Sequence, residues 1–273
     1  MKLGAQIRGM LESLAKCATP ATKMSRIIAL FNQSGGVGKS TLTMNLGYHL
    51  TLQEQRVLLV DMDPQASLTV FMGLEPSELD KTIYEAILIG EPIPIHPSLH
   101  NMDLAAANIN LSGAELELVV ADMRDVRLKV ALKPLRKQYD FILVDCPPSL
   151  GILSYISLVA ATHVLIPIQT QYKALKGTEL LLNTITRVRS RANRQLKIAG
   201  VIPMMHDART VQGEISLQSI QEQLSKIGAI YPTIPRSVAF VDASQEHVPL
   251  ALYNRSHPAV TLLTQIAQSL TLL

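Results

Sequence analysis

Residues 27–41 confine the fold more tightly than any other stretch of the chain. The apolar run Ile27-Ile28-Ala29-Leu30-Phe31 passes directly into Asn32-Gln33-Ser34-Gly35-Gly36-Val37-Gly38-Lys39-Ser40-Thr41, and a helical pattern of Leu42, Leu46 and Leu50 follows. Strand, glycine-rich loop and helix in that order make the setting of a phosphate-binding loop. Glycines are needed because successive backbone N–H groups must face the phosphates, and a Cβ would block that approach or forbid the backbone angles. Lys39 then reaches the β- and γ-phosphates, Ser40 offers its hydroxyl to Mg²⁺, and the helix from Thr41 points its positive end at the anion. Read as a bare tight turn, Gly35 to Gly38 would leave the Lys-Ser-Thr that follows without a purpose. The stretch predicts a bound nucleoside triphosphate.

Two further strands end in carboxylates. Arg56-Val-Leu-Leu-Val60, apolar enough to be buried on both faces, leads into Asp61-Met62-Asp63-Pro64-Gln65. Turn chemistry before Pro64 explains either aspartate singly but accounts poorly for the pair. Tyr139-Asp-Phe-Ile-Leu-Val-Asp145-Cys-Pro-Pro148 is an apolar strand that delivers Asp145 at its end, the Walker B arrangement, where the carboxylate holds Mg²⁺ through water. Strand ends beside a phosphate loop are where open parallel sheets bind ligands.

The rest of the chain reads as one α/β domain over residues 25–273, after a tail or short amphipathic helix over 1–24 in which Leu3, Ile7, Met10, Leu11 and Leu14 recur at helical spacing. A helix is expected from Ser40 to about Gln53 and another from Thr82 to Ile89. The proline-rich Glu91–Pro97 reads as a surface excursion, Met102–Ala107 as a short strand, and Ser112-Gly-Ala-Glu115 as a capping box that opens a long helix to about Lys133. Thr162–Ile168 and Lys197–Met204 are strands, with a helix between them to about Arg189. At 273 residues and 48% apolar content a sizeable core is available. No window approaches the roughly 20 apolar residues of a bilayer span, which predicts a soluble protein. Cys17 and Cys146 lack metal spacing and read as free thiols in a reducing cytosol, against zinc or an iron–sulfur cluster; Cys146 reads as a buried small residue. Net charge is only +3. Its distribution is more telling, because Arg187, Arg189, Arg191, Arg194 and Lys197 follow one another with no acidic residue between them, and Arg187, Arg191 and Arg194 share a helical face. Such a stripe suits a nucleic-acid backbone, or else a solvated helix end whose cations complement the dipole.

Taken together, these motifs resemble the ParA/MinD superfamily, whose deviant Walker A box usually reads Lys-Gly-Gly-Val-Gly-Lys-Thr. Gln33 stands at the first glycine of the strict phosphate-loop pattern and Ser34 at the leading lysine. The resemblance covers about residues 26 to 270 and implies a three-layer α/β sandwich around a mostly parallel twisted sheet, a SIMIBI-type P-loop NTPase using ATP and Mg²⁺. It implies that Ser34, Gly35, Gly36, Val37, Gly38, Lys39, Ser40 and Thr41 cradle the phosphates. Asp63 would orient the attacking water, Asp61 would support the loop and the Mg²⁺ shell with Ser40 and Asp145, and Met205, Arg209 and Pro235 would lie near the adenine. The family's leading lysine crosses a dimer interface to the other subunit's phosphates. Lys173 and Lys176, which stand where the family carries an aromatic and a glutamate, are candidates to replace it or else ordinary solvated lysines.

The resemblance further implies a cytoplasmic, nucleoid-associated ATPase that closes as an ATP-sandwich homodimer and binds double-stranded DNA without reading bases. Hydrolysis would be controlled by an adaptor, McdB-like or ParB-like. A serine in place of the signature lysine is similar to the carboxysome-positioning branch; plasmid or chromosome partition is the alternative cargo. A MinD-like membrane role requires a basic amphipathic C-terminus, and no lysine or arginine follows Arg255, so stable membrane binding is not expected. A metabolic ligase of the same fold is the alternative from another class.

Overall fold

The computed structural model describes residues 24–273 except for the side chains of 172–176. The expected N-terminal helix and Cys17 lie outside the described residues. In chain order the elements are β1 (Arg26–Leu30), α1 (Lys39–Thr51), β2 (Val57–Asp61), α2 (Ser67–Phe71), α3 (Ile83–Leu88), β3 (His96–Leu99), β4 (Met102–Ala105), α4 (Asn110–Val120), α5 (Arg127–Leu132), β5 (Phe141–Asp145), α6 (Ile152–Ala160), β6 (His163–Gln169), α7 (Tyr172–Arg191), β7 (Lys197–Met204), α8 (Val211–Leu224), α9 (Ala239–Gln245), α10 (Leu250–Tyr253) and α11 (Pro258–Thr271). One sheet holds all seven strands in the order β3-β4-β2-β5-β1-β6-β7, parallel except for β3, which runs antiparallel to β4. This is the three-layer α/β sandwich expected from the sequence.

Alternation along β1 shows how the layers form. Ile27 and Ala29 face the side covered by α3 to α8, with Leu111, Leu153 and Ile185 among their partners. Ile28 and Leu30 face the side covered by α1, α2 and α9 to α11, with Leu42, Leu46 and Leu263. Because both faces are buried, the central strands read as continuous apolar runs with no polar alternation. The C-terminal helix α11 belongs to this core: Leu263, Ile266, Ala267 and Leu270 are fully buried. Its apolar face is therefore taken up by packing, and among the described residues no helix is long and apolar enough to cross a membrane.

Three sequence expectations need correction. The helix expected from Ser112 to Lys133 is two helices, α4 and α5, and no capping box opens the first; it starts at Asn110 without a side-chain cap. The chain breaks after the β-branched pair Val119-Val120, a weak helix-forming step, and Met123 turns it with a left-handed φ of 53°. That turn brings Arg127 onto the carbonyls of Ile87 (3.1 Å) and Leu88 (2.5 Å) at the end of α3, so a tertiary contact overrides local helix pattern. Second, the proline-rich excursion contains the start of β3, a strand that tolerates Pro97 because it lies at the sheet edge. Third, α7 runs to Arg191 and stops, so Arg194 sits in the following loop and shares no helical face with Arg187 and Arg191.

β7 contains a register shift opposite Val164 and Leu165, and Gly200 occupies it with φ 151°. A Cβ there would lie 2.6 Å from the Ala229 carbonyl oxygen and 2.5 Å from Tyr231. Backbone cannot move aside cheaply, so Gly200→Ala is expected to cost about 2–3 kcal/mol of stability with an unchanged denaturant slope in urea unfolding; a loss under about 0.5 kcal/mol would contradict this account of the bulge.

Candidate functional site

The site forms at the carboxyl ends of β1, β2 and β5. Parallel pairing sets Leu30 opposite Asp145 and Asp61 opposite Asp145, so the phosphate loop leaving β1 and both strand-end carboxylates emerge side by side. Gly36 (φ 69°) and Gly38 (φ 86°) adopt left-handed backbone, and Gly38 is the residue from which α1 starts. Side-chain amides pin the loop from neighbouring elements. Asn32 donates from Nδ2 to the Pro167 carbonyl at 2.7 Å and accepts from the Ser34 N–H at 2.9 Å. Gln169 donates to the Gly36 carbonyl at 2.8 Å, and Gln33 donates to the Gly177 carbonyl at 2.6 Å.

Lys39 is buried and donates from Nζ to the carbonyls of Asn32 and Ser34, both at 3.0 Å. Burial lowers its pKa, and the charges of Asp145 and Asp63 oppose that shift. Asp61, fully buried, is saturated with hydrogen bonds: Oδ1 accepts from the Asp63 N–H at 3.1 Å, and Oδ2 accepts from the Thr69 N–H at 2.9 Å and hydroxyl at 2.8 Å. Burial nonetheless pushes its carboxyl up to about 6. Asp145 is also fully buried, but neither of its oxygens has a hydrogen-bond partner among the described residues. Burial first, and then the charge of Asp61, holds its pKa well above the usual carboxylate range, while Ser40 and Lys39 oppose the rise. An orphaned buried carboxylate beside a serine hydroxyl, a lysine and a glycine loop fits a divalent cation with a phosphate chain. Asp63 is nearly buried, and its Oδ1 accepts from the Gln65 N–H at 3.0 Å.

A cavity of about 690 Å³ adjoins the start of α1, lined by Gly38, Thr41, Met205, Pro235 and Phe240 among others. Its lining is mainly apolar, which suits the flat face of a base. Expected residues Ser34 to Thr41, Asp61, Asp63, Asp145, Met205 and Pro235 thus converge on one crevice. Arg209 does not join them: it lies outside the cavity wall and pairs with Asp207 at 2.9 Å on the surface, holding that carboxyl down at about 2. Lys173 and Lys176 fall on the first turns of α7, and their side chains lie outside the described residues. Cys146 is buried as expected, its thiol pushed up to about 12 by burial. Sequence reasoning missed the residues that build the site indirectly. Thr69, eight positions after Asp61, clamps that carboxylate and accepts from the Ala107 N–H; Asn32, Gln33 and Gln169 brace the loop. For Asn32, Gln33 and Gln169 the only available signal was their place at the ends of β1 and β6, and for Thr69, inside α2, there was none.

The basic residues occupy the other end of the molecule. Arg187, Arg189 and Arg191 are exposed on the last turns of α7, Arg194 is exposed in the loop, and Lys197 is exposed at the first position of β7. From Gly177, which Gln33 of the phosphate loop contacts, α7 runs about 15–21 Å to Arg187 and Arg191.

Comparison with known proteins agrees with this geometry. Residues 25–198 match the AAA domain family. The sporulation initiation inhibitor protein Soj of Bacillus subtilis (strain 168) is 41% identical over 236 residues, covering 85% of this chain and 92% of that protein. The chromosome partitioning protein ParA of Myxococcus xanthus (strain DK1622) is 40% identical, covering 85% and 82%. Among solved structures, cobyrinic acid a,c-diamide synthase from Mycobacterium smegmatis with bound ATP analog and magnesium superposes with a TM-score of 0.81 at 34% identity, over 90% of this chain and 94% of that one. An ATP complex of Cyanothece McdA, a single-substitution variant of that protein, gives 0.80 at 26% identity, over 91% and 97%. Fold and site define a P-loop ATPase that uses ATP and Mg²⁺. Within that class the chain belongs to the ParA/Soj family.

Ionisation of the orphaned carboxylate is unfavourable in the nucleotide-free protein. A raised carboxylate pKa means that the folded state holds protons that the unfolded state releases, so stability falls as pH rises between the two values. His49, which burial drops to about 4, acts with the opposite sign, so the test is the difference from wild type. Asp145→Asn is expected to raise nucleotide-free stability at pH 7 by about 1–3 kcal/mol, to lose less stability than wild type between pH 5 and 7, and to cut ATP turnover at least about 100-fold. Lower stability at pH 7 would contradict this reading of the site.

Proposed function

We propose that this chain is a positioning ATPase: with Mg·ATP two copies close face to face over their nucleotides, the closed dimer binds double-stranded DNA without reading sequence, and hydrolysis prompted by an adaptor of the ParB-like or McdB-like kind releases it at the nucleoid surface. The observation that carries the reading is the placement of a nucleotide site beside the first turns of α7 and of five exposed cations at its other end, Arg187, Arg189 and Arg191 on the helix and Arg194 and Lys197 just beyond it. Cations so clustered give phosphate-backbone affinity without base readout. A relative named for chromosome partitioning at 40% identity, against 26% for McdA, favours a DNA cargo over the carboxysome.

In the chemistry, Asp145 and Ser40 would hold the magnesium ion, with Asp61 behind them, and the ion would neutralise charge that develops on the phosphates. Backbone N–H groups from Gly35 to Thr41 and the positive end of α1 bind the phosphate chain. Lys39 brings a buried, fully donating ammonium to the β- and γ-phosphates. Asp63 holds Gln65 with one oxygen and turns the other to a water in line with the γ-phosphate. Because Ser34 replaces the cross-dimer lysine, the remaining cation falls to Lys173 or Lys176.

Asp63→Ala is expected to bind ATP and DNA while hydrolysis falls about 100-fold or more; turnover within tenfold of wild type would remove Asp63 from the water-positioning role. Arg187→Ala/Arg191→Ala is expected to weaken DNA binding equally on two unrelated duplexes and to lower the slope of log K against log salt by about 1–2. An unchanged slope would move the interface elsewhere, and an absence of DNA binding by wild type in any nucleotide state would refute the reading. The 34% identity to a diamide synthase supports a second reading, a small-molecule ligase; it requires turnover that depends on an added carboxylate substrate and ignores DNA.

A further inference from the structure

The nucleotide site and the basic cluster are joined through one side chain that neither motif reading uses. Gln33 lies in the loop between Asn32 and Ser34, and its Nε2 donates to the carbonyl of Gly177, the sixth residue of α7, at 2.6 Å. With a carbonyl oxygen as its neighbour, the nitrogen must be the atom that points there. The other end of the amide is unsatisfied: Gln33 Oε1 is buried and has no partner among the described residues. A half-satisfied buried amide is costly, which leaves this contact poised for rearrangement.

The nucleotide acts on that contact through Lys39. Its ammonium has three donors, and two of them hold the carbonyls of Asn32 and Ser34, the residues on either side of Gln33. Reaching the β- and γ-phosphates withdraws at least one of those donors. The peptide units that orient Gln33 are thereby released or retightened with the phosphates. Asn32 and Gln169 fasten the same loop to β6. On the far side of the contact α7 is continuous from Tyr172 to Arg191, so a shift at its first turns reaches the arginines as a rigid rotation or translation.

We propose that Gln33 is a positioning residue, a latch on α7 that transmits nucleotide occupancy from the phosphate loop to the basic end of the helix. The proposal rests on the DNA-binding reading above for its output, but the motion of α7 can be read without DNA. Gly177 offers an independent way to break the latch, since a Cβ at that position would lie 2.9 Å from Gln33 Nε2. Alanine is also a better helix former than glycine, so Gly177→Ala displaces the amide without unfolding α7.

The test uses the full chain as wild type, Gln33→Ala and Gly177→Ala, each also carrying Asp63→Ala to hold ATP unhydrolysed. Two quantities are read with Mg·ATP and with Mg·ADP: hydrogen exchange of the backbone amides of residues 178–191, and affinity for an arbitrary DNA duplex. In the parent an exchange difference between the two nucleotides is expected along α7, with DNA affinity about tenfold or more higher in ATP. Gly177→Ala should bind ATP within about threefold of the parent, lose the exchange difference, and bring the ATP-to-ADP ratio of DNA affinity to within about twofold of one; Gln33→Ala should lose both differences as well. Variants that keep the exchange difference overturn the latch, as does a parent in which α7 exchange ignores the nucleotide. An exchange difference that the variants abolish, in a parent that binds no DNA, would support the latch while refuting the DNA reading.

Discussion

Two carboxylates buried side by side at the ends of adjacent strands set the terms for the rest of this molecule. Asp61 and Asp145 face each other across the β2–β5 pair, both fully buried. Removing charge from water is costly unless partners compensate it, and the two residues meet that cost differently. Asp61 is compensated by hydrogen bonds from Thr69 and the Asp63 backbone, which fixes α2 against β2 and aims Asp63 into the crevice. Asp145 has no such partners and is left with the opposing charge of Lys39 and the dipole of Ser40. One aspartate is thus tied into the structure, and its neighbour keeps its lone pairs without a hydrogen-bond partner among the described residues. Each needs the other's position, since the parallel register that supplies one supplies both.

This division explains why nucleotide chemistry is confined to one end of the sheet while the cationic surface lies at the other. Strand polarity puts the loops that leave the six parallel strands at the crevice end of the sheet, and their chain entries, including Lys197 at the start of β7, at the opposite rim. Only a crossover element spans the distance, and α7 is the longest helix among the described residues. The packing of α11 into the core through Leu263, Ile266 and Leu270 takes up the apolar face of that helix.

Much of this was legible from the sequence. The glycine loop, Asp61-Met62-Asp63 and Asp145 are local signals in which a few adjacent residues state both the element and the chemistry, and the structure brings them together. Where the reading failed, the deciding contact came from far along the chain. Arg127 reaching the end of α3 stops a helix that periodicity alone would continue past Val120, and Pro97 enters a strand because that strand happens to lie at the edge. Arg209 matched a motif but found Asp207 two residues away, a short-range pair that a motif does not reveal. Asn32, Gln33, Thr69 and Gln169 carry no pattern at all: a single amide or hydroxyl becomes important through the carbonyl or carboxylate opposite it, and sequence spacing contains no information about that partner.

The central claim is that the crevice holds uncompensated carboxylate charge which a magnesium–nucleotide complex satisfies. Proton release on binding reads this directly, by calorimetry of Mg·ADP addition in buffers of different ionisation heat. Because burial places Asp61 at about 6 and Asp145 above its usual range, binding near pH 6 should release roughly half a proton or more per site. Release by Asp61 should shrink as pH rises above about 6, and the total should be reduced in Asp145→Asn. Binding at pH 6 with no proton released would show that the two carboxylates were already charged, and the same release in Asp145→Asn would show that Asp145 is not its source; either result would contradict the account.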